Sequence, residues 1–438
     1  LKSTAWYQEK DVEAGCGRVD ITPTEPLDIS GFVERENPSE GVLDGIDVRA
    51  FFLRNERPFL VVTCDVLYLP LPLARRLREA IARECGIPPE SVWVVATHTH
   101  SAPAAGFHRL SGDVSENFLE RVLHAAVEAA RQAQKNAQPV KKSLVAAPPC
   151  HVASNRRLPT PEGVRRPPDP EGPYDPQILW LRFVDGERVV AHLLIYGCHP
   201  TTLGPKNRKI SADFVGHLRR LVEKEYGGVA LFLPGALGDV APVPNESSEP
   251  EAAEDFALRV FETLSESEWL TEELELEGVV LTSTKESLPL VELGDAELGL
   301  YLSRADDLES AGKTAEAALI RQWADDFRLL HQTRSLPESV PLFLCMADFG
   351  QTRLVATSAE VFSSYATVLR AHCPAPYTAL ISLTNGFTGH LPDEEGFLLG
   401  GYEVEIAPLL YGVLPLSHDA AEIGENSLLA LARYEVSP

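Results

Sequence analysis

The sequence is poor in sulfur and contains no long apolar run. Its seven cysteines are odd in number and widely spaced, with no CxxC pair, which argues against a disulfide framework. No apolar run approaches the roughly 18 residues that a membrane-spanning helix needs. The N-terminal segment 1–15 does not read as a signal peptide. These absences predict a reducing, cytoplasmic context, and they leave open whether a signal segment preceded the chain.

Basic residues are scarce relative to acidic ones. Lys and Arg total 39 and Asp and Glu total 64, which gives a formal net charge of −25. A protein that binds nucleic acid needs a basic face, and an anionic membrane surface attracts the same kind of patch. The charge therefore argues against a nucleic-acid partner and against anchoring on an anionic membrane surface. The missing long apolar run argues against stable membrane insertion, and the oligomeric state is left open.

Short β-rich runs alternate with helical patterns along the chain. The predicted strands, rich in Val, Ile, Leu, Phe or Tyr and mostly bounded by turn formers, are 58–65, 91–97, 188–197, 228–234, 341–350, 352–358 and 377–383. The predicted helices are 71–85, 115–136, 212–226 and 251–264. This alternation predicts an α/β fold.

Two segments depart from the alternation. Residues 292–334 have helical periodicity broken at SAGKT, which predicts a helical hairpin inserted between strand-forming regions. Its apolar residues are predicted to be ordinary core, with a lid over a binding site as the alternative. The proline-rich segment 159–176 predicts a long loop, and loops of this length are often functional or disordered.

Polar side chains follow one predicted strand in the stretch ATHTHSAPAAG, residues 96–106. In an extended chain His98 and His100 project to the same side. Neutral imidazole is the commonest metal ligand, so the pair predicts half of a metal site where a strand gives way to a loop. The alternative is a polar turn whose histidines only satisfy backbone groups.

Further polar positions mark the later part of the chain. His199 follows a strand in IYGCHPTTLG, and Glu360 follows another in VATSAEVF. His390 and Tyr402 lie in a glycine-rich segment, 382–403. Each has a structural alternative, namely a loop histidine or a carboxylate that favours the dipole of a helix start. Taken together, three histidines and a glutamate make a zinc set, because catalytic zinc takes three protein ligands and leaves a position for water.

Three aspartates lie at strand or helix junctions. Asp65 ends FLVVTCD, Asp213 lies in ISADF and Asp239 lies in LGDVAP. Each is predicted either to orient a ligand histidine from the second shell or to cap a helix.

The order of these motifs resembles that of the neutral/alkaline non-lysosomal ceramidase family. ATHTHSAPAAG is similar to the family's THTHSGP motif. The later marks follow in the same order and are ASNRRLP, YGCHPTTLG, ISADFVG, ALGDVAP, the Glu360 segment and NGFTGHLPDEEGFLLGGYE. The resemblance implies a single ceramidase-like catalytic domain over 1–438, with mixed β-sheets, flanking helices and the insertion 292–334. It also implies a compact bacterial-type relative without the family's C-terminal β-rich domain.

The resemblance implies one zinc ion per chain. The family's two histidine ligands match His98 and His199, and its glutamate ligand matches Glu360. The family's tyrosine ligand is matched here by His390, and imidazole is itself a good zinc ligand.

The resemblance also implies three residues with roles in catalysis. His100 matches a second active-site histidine and is predicted to shuttle a proton. Arg156 matches an arginine of an NRSP-like motif, and Tyr402 matches a tyrosine that hydrogen-bonds the reacting carbonyl. Both are predicted to stabilise an oxyanion.

Ala241 is the main departure from the family pattern. It lies in GDVAP, where the family's GDVSP carries a serine held essential for ceramide cleavage. Zinc lowers the pKa of bound water from about 15.7 to about 7, so hydrolysis without a serine is expected. The sequence therefore predicts a zinc-dependent amidohydrolase of a small N-acyl or lipid-like substrate. The alternatives are a zinc Lewis-acid lyase, cyclase or isomerase on the same scaffold, and a non-catalytic binding homologue.

Overall fold

The computed structural model describes residues 12–161, 163–166, 168–276, 278–333 and 336–435. Residues 1–11 lie outside the described residues, and they make up most of the N-terminal segment 1–15 that was predicted not to be a signal peptide. Residue 334, the last residue of the predicted insertion, also lies outside them. No helix in the described part of the chain is long and apolar enough to span a membrane. The cytoplasmic and bacterial assignments stay predictions.

Twenty strands occur in the described ranges. They are β1 (Val12–Asp20), β2 (Asp47–Arg54), β3 (Pro58–Cys64), β4 (Val92–Ala96), β5 (Gln138–Val140), β6 (Lys142–Ala146), β7 (Ala153–Asn155), β8 (Leu158–Thr160), β9 (Gly163–Arg165), β10 (Ile178–Asp185), β11 (Arg188–Tyr196), β12 (Val229–Pro234), β13 (Val240–Pro242), β14 (Glu272–Glu275), β15 (Val280–Pro289), β16 (Ser339–Asp348), β17 (Thr352–Thr357), β18 (Ala359–Val361), β19 (Tyr377–Ile381) and β20 (Gly389–Leu391).

The same ranges contain eleven α-helices. They are α1 (Leu71–Cys85), α2 (Glu116–Lys135), α3 (Asp213–Tyr226), α4 (Ala252–Glu266), α5 (Asp295–Ser310), α6 (Thr314–Thr333), α7 (Ser363–His372), α8 (Glu394–Leu399), α9 (Tyr402–Glu405), α10 (Ala407–Leu410) and α11 (Ala420–Ala432). Each predicted strand and helix is present, with ends within about two residues of the prediction. The α/β class with mixed sheets and flanking helices is confirmed.

Three sheets make up the body of the fold. Their strand orders are β4-β3-β2-β1-β5, β12-β11-β10-β6-β14 and β15-β16-β17-β19. Helices α1 and α2 cover the first sheet, α3 and α4 pack on the second, and α7 and α11 pack on the third. Three two-stranded ribbons, β13-β7, β18-β20 and β8-β9, complete the described strands. The β18-β20 ribbon contains Glu360 and His390, and the β13-β7 ribbon adjoins Arg156 and Asp239.

The alternation of side chains along β2 shows where the core lies. Phe52 packs with α1 and α2, whereas Phe51 enters a second core shared by all three sheets, where Leu193 and Leu354 also lie. Strand side chains point alternately to opposite faces, so a strand buried on both faces is apolar throughout. The three sheets therefore pack together around this shared core, which fixes the positions of their strand ends and of the loops that follow them.

Strand β1 was missed by the sequence analysis because it contains two glycines. A Cβ on Gly15 would overlap the carbonyl oxygen of Ala133, and one on Gly17 would overlap that of Ala129. The glycines thus allow α2 to lie directly against the strand, at the expense of strand propensity. Close packing decides the structure here.

The two departures from the β/α alternation also appear in the structure. Helices α5 and α6 lie between β15 and β16, which pair antiparallel, and they pack against Leu409 and Leu410 of α10. Trp323 is fully buried in that cluster, whereas Leu300 is exposed. The proline-rich segment is not wholly irregular, since it contains β8 and β9.

Candidate metal centre

The HTH segment does not continue strand β4. The strand ends at Ala96, and His98 adopts a positive φ of 70°, a conformation that is uncommon and strained for a residue other than glycine. The expectation that an extended chain would align the two histidines was therefore wrong. The turn nevertheless brings the two Nε2 atoms of His98 and His100 to 3.4 Å.

Three histidine rings are oriented by main-chain carbonyl groups. Their Nδ1 contacts are His98 to Leu67 at 2.7 Å, His100 to Gly31 at 3.1 Å and His199 to Val240 at 2.9 Å. A carbonyl oxygen only accepts, so each Nδ1 carries a proton, and Nε2 is the nitrogen left to bind a metal. Burial lowers the pKa of His199 to about 3 and holds that of His100 well below its usual value. Both rings are therefore neutral near pH 7.

Glu360 and His390 are brought together by a parallel ribbon. They are direct register partners in β18 and β20, so their side chains lie next to each other. Glu360 is completely buried, and helix α7 begins only at Ser363, so its carboxylate does not serve a helix start. Its oxygens instead meet three imidazoles, with Nε2 distances of 2.8 Å for His199, 3.0 Å for His390 and 3.5 Å for His98.

This arrangement is electrostatically incomplete with protein atoms alone. Neither oxygen of Glu360 receives a hydrogen bond from the described residues, although a buried carboxylate without donors is costly. The nearest atom on each histidine is Nε2, and on the neutral His199 ring this atom has only a lone pair, directed also to Arg156. A cation bound between these atoms would satisfy all of them, and imidazole nitrogen with carboxylate oxygen is a donor set that suits zinc.

Two overlapping ligand sets fit the geometry. The ligand atoms of His98, His100 and His199 all lie within 4.8 Å of one another. The set predicted from the sequence shares His98 and His199 with this group and adds Glu360 and His390. The Nδ1 atom of His390 is buried without a partner among the described residues, so no main-chain contact fixes its tautomer. The choice of His390 over His100 as a ligand stays a prediction.

Arg156 lies directly beside this cluster. It follows β7 and is buried, and its Nη1 lies 3.0 Å from Nε2 of His199. Its Nε donates to Glu403 at 3.1 Å. Glu403 was not singled out from the sequence, nor was Arg157, which also binds it. The adjacent pairs Arg156-Arg157 and Tyr402-Glu403 were the available signal.

Tyr402 begins helix α9 on the far side of His390. The two rings are perpendicular, with centroids 6.1 Å apart, and the guanidinium of Arg166 lies 4.1 Å above the tyrosine ring. Burial raises the pKa of Tyr402, so its hydroxyl stays protonated and able to donate. Its role toward an oxyanion stays a prediction.

The three aspartates hold the loops rather than the imidazole rings. Asp65 accepts from Thr97 at 3.0 Å, next to His98. Asp213 accepts from the amide groups of Leu203 and Phe214, and thereby ties the CHPTT loop to the start of α3. Burial raises the pKa of Asp213 to about 6.

Asp239 has a similar position between two chain segments. It accepts from the amide and hydroxyl groups of Ser363 and from the side chain of Asn155, and burial raises its pKa to about 7. In the described structure none of the three aspartates hydrogen-bonds a ligand imidazole; main-chain carbonyls contact Nδ1 of His98 and His199, and Nδ1 of His390 has no partner. A second-shell role for them stays a prediction.

Ala241 is buried in the β13-β7 ribbon. It pairs with Ser154, and the preceding residue, Val240, holds His199. The ribbon thus anchors one face of the cluster through its backbone. The methyl side chain of Ala241 offers no polar group there.

Fold and cluster together describe an α/β protein with buried imidazoles and a carboxylate gathered where strands end. Residues 12–244 match the sequence profile of the neutral/alkaline non-lysosomal ceramidase N-terminal domain. Because this match covers more than half of the chain, the protein belongs to that family.

Two curated relatives are neutral ceramidases of fruit flies. The protein of Drosophila pseudoobscura pseudoobscura is 27% identical over 254 residues, and that of Drosophila melanogaster is 26% identical over 255 residues. Each match covers 52% of this chain and 36% of the relative, so the matched region spans about a third of those proteins.

Solved structures match over a larger part of the chain. The neutral ceramidase of Pseudomonas aeruginosa aligns with a TM-score of 0.72 and 18% identity, over 98% of this chain and 76% of that one. A structure described as ceramidase complexed with C2 gives a TM-score of 0.71, with the same identity, over 98% and 77%. At this identity the likeness establishes the ceramidase-like fold, which confirms the expected architecture.

Proposed function

We propose that this protein is a zinc-dependent hydrolase that cleaves the amide bond of a small N-acyl or lipid-like substrate. The main observation in support of this proposal is the buried Glu360 carboxylate, which faces Nε2 atoms of three histidines and receives no hydrogen bond from the described residues. Membership of the ceramidase family supports amide hydrolysis, and the relatives' names bring ceramide into the range of substrates to test.

The proposed ligands are His98, His199, Glu360 and His390, with one ion per chain. When bound there, zinc would supply Lewis-acid chemistry and would lower the pKa of water from about 15.7 to about 7. This chemistry needs no serine, which is compatible with Ala241.

The remaining residues would handle charge and protons. Arg156 and the protonated hydroxyl of Tyr402 would donate to the oxygen on which negative charge develops. His100 is neutral and has its Nδ1 proton directed to Gly31, so its Nε2 lone pair would accept a proton from the attacking water. The carbonyl contact keeps that lone pair directed into the cluster.

The test is product analysis in water enriched in oxygen-18. Zinc-loaded protein is incubated with short-chain N-acylsphingosine and with small N-acyl amines, and the products are identified by mass spectrometry. Hydrolysis predicts a free amine and an acid that carries one oxygen-18 atom, and His98→Ala should release neither. Turnover without solvent oxygen in the product would favour a lyase, cyclase or isomerase. Zinc binding without turnover of any substrate would favour a binding homologue.

A further inference from the structure

Glu403 is a buried carboxylate that holds two arginines at once. It is 1% exposed in the short helix α9. One of its oxygens accepts from Nε and Nη2 of Arg156, at 3.1 and 3.0 Å, and the other accepts from Nη1 of Arg157. Arg157 is in turn fixed by the carbonyl oxygens of Gly396 and Gly400. Glu403 therefore has an anchored position from which to direct Arg156.

Arg156 has a second carboxylate within reach. Its Nη2 lies 3.9 Å from Glu360, and its Nη1 lies 3.0 Å from Nε2 of His199. A guanidinium is always charged and carries only donors. Nη2 of Arg156 also lies 3.5 Å from Nε2 of His390. Arg156 thus points its positive charge at three of the atoms that would bind the metal, and it competes with a dication for them.

We propose that Glu403 is a positioning residue that restrains Arg156 and so leaves Glu360 and His199 free to bind the metal. This inference rests on the proposed metal site. Without the charge of Glu403, Glu360 is the remaining carboxylate within 4.0 Å of Arg156 in the described structure. Arg156 would then pair with Glu360, and metal binding would have to break that pair.

Glu405, on the same short helix, is the residue that best serves as a comparison with Glu403. It pairs with Arg304 at 2.7 Å, and its side chain is 36% exposed. It has the same charge and neighbourhood along the chain but no contact with Arg156. Glu405→Gln is therefore a matched control for Glu403→Gln.

The experiment is a double-mutant cycle read out as zinc affinity. Zn²⁺ is titrated into the metal-depleted protein of residues 1–438 against a chromophoric chelator, for wild type, E403Q, R156Q, E403Q/R156Q and E405Q. We expect E403Q to bind zinc about 10- to 100-fold more weakly, the range seen when groups behind metal ligands are changed. We expect E405Q to match wild type, and the double variant to bind as tightly as R156Q because the competing cation is gone.

Restoration of affinity in the double variant separates restraint from a merely structural role. A double variant that stays as weak as E403Q overturns the inference, as does an E403Q variant with wild-type affinity. E403D keeps the charge but withdraws it by one methylene, and we expect an affinity between those of wild type and E403Q; a weaker affinity than E403Q would contradict the proposal. Circular dichroism confirms that each variant is folded. Absence of zinc binding in wild type would overturn the metal site itself, which is a separate outcome.

Discussion

Two buried charge clusters reach the HTH segment, and they differ in how their carboxylates are satisfied. The Asp65 network, formed by Asp65, Arg219, Asp47, Arg49 and Glu223, contacts it through Thr97. Asp65 accepts hydrogen bonds from Nη1 and Nη2 of Arg219, at 2.9 and 2.6 Å, and from the main-chain amide of Asp47 at 2.7 Å. The Glu360 cluster contacts the segment through His98, and its carboxylate faces the Nε2 atoms of three histidines without receiving a hydrogen bond from the described residues.

The difference separates architecture from a ligand site. The Asp65 carboxylate accepts hydrogen bonds on both oxygens from charged and neutral donors, so it has no need of a further cation. The Glu360 carboxylate receives no hydrogen bond from the described residues, and its nearest cation, Arg156, lies 3.9 Å away and pairs with Glu403, so Glu360 is left to a metal ion. The same contrast holds between buried histidines, since His192 accepts from Trp180 at 3.1 Å and contacts the carbonyl of Gly227 at 2.8 Å.

The largest effect is expected in the Glu360 cluster, where removing the carboxylate should remove the metal. Glu360→Gln should abolish zinc binding and reduce turnover to background, because it removes the only charged ligand of the proposed set. Metal per chain, measured by plasma mass spectrometry after dialysis, checks this. Asp393→Asn, which changes the carboxylate that caps α8, is the control and should keep about one zinc per chain. Full zinc content in Glu360→Gln would contradict the assignment.

The Asp65 network should respond in stability rather than in metal content. Asp65→Asn leaves Arg219 buried with a neutral partner, and we expect a loss of about 3–5 kcal/mol in the free energy of unfolding. Glu13→Gln removes a partly exposed pair with Arg54 and should cost about 0–1 kcal/mol. Urea unfolding measures both. A small effect of Asp65→Asn, together with loss of zinc from the folded protein, would reverse the comparison.

A substitution at Tyr402 tests the chemistry of the Glu360 cluster separately from its binding of metal. Tyr402→Phe takes away one donor to the developing negative charge, and we expect turnover to fall by about 10²- to 10³-fold with unchanged zinc content. Tyr434→Phe, at an exposed position, is the control. Undiminished turnover in Tyr402→Phe would exclude this role for the hydroxyl.

The smallest expected effect is the pH dependence of stability that comes from His192, whose two ring nitrogens both have hydrogen-bond partners. Burial lowers the pKa of His192 to about 4, from an unfolded value near 6.5. The unfolded chain therefore binds the proton first, and stability is lost as the pH falls from about 6.5 to about 4. We expect the stability difference between wild type and His192→Gln to shrink across this range by up to about 3 kcal/mol. A difference that is constant with pH would show that His192 is not held neutral.

Seven of the twenty described strands were predicted from the sequence, for identifiable reasons, whereas others, such as β1, β2, β10 and β15, were not. Apolar strands such as β11 and β12 are recognisable because they are buried on both faces. Strand β15 was missed because its burial pattern is mostly exposed and its sequence is polar. Polar residues at strand ends predicted the histidines and Glu360, but not the turn at His98.

What the sequence could not provide was the convergence of distant segments. Glu360 and His390 become neighbours only through the pairing of β18 with β20. Glu403 reaches Arg156 across 247 positions of sequence. The main-chain carbonyls that set the imidazole tautomers carry no sequence signal, because every residue has one.

The most direct test of the central claim is anomalous diffraction at the zinc absorption edge, from crystals of the zinc-loaded protein. We expect one peak about 2.0–2.2 Å from Nε2 of His98 and His199 and from an oxygen of Glu360, with His390 as the fourth ligand. A peak bound by His98, His100 and His199 without Glu360 would contradict the account and assign the site to the three-histidine set. A zinc-loaded crystal without a peak in this cluster would refute the metal centre.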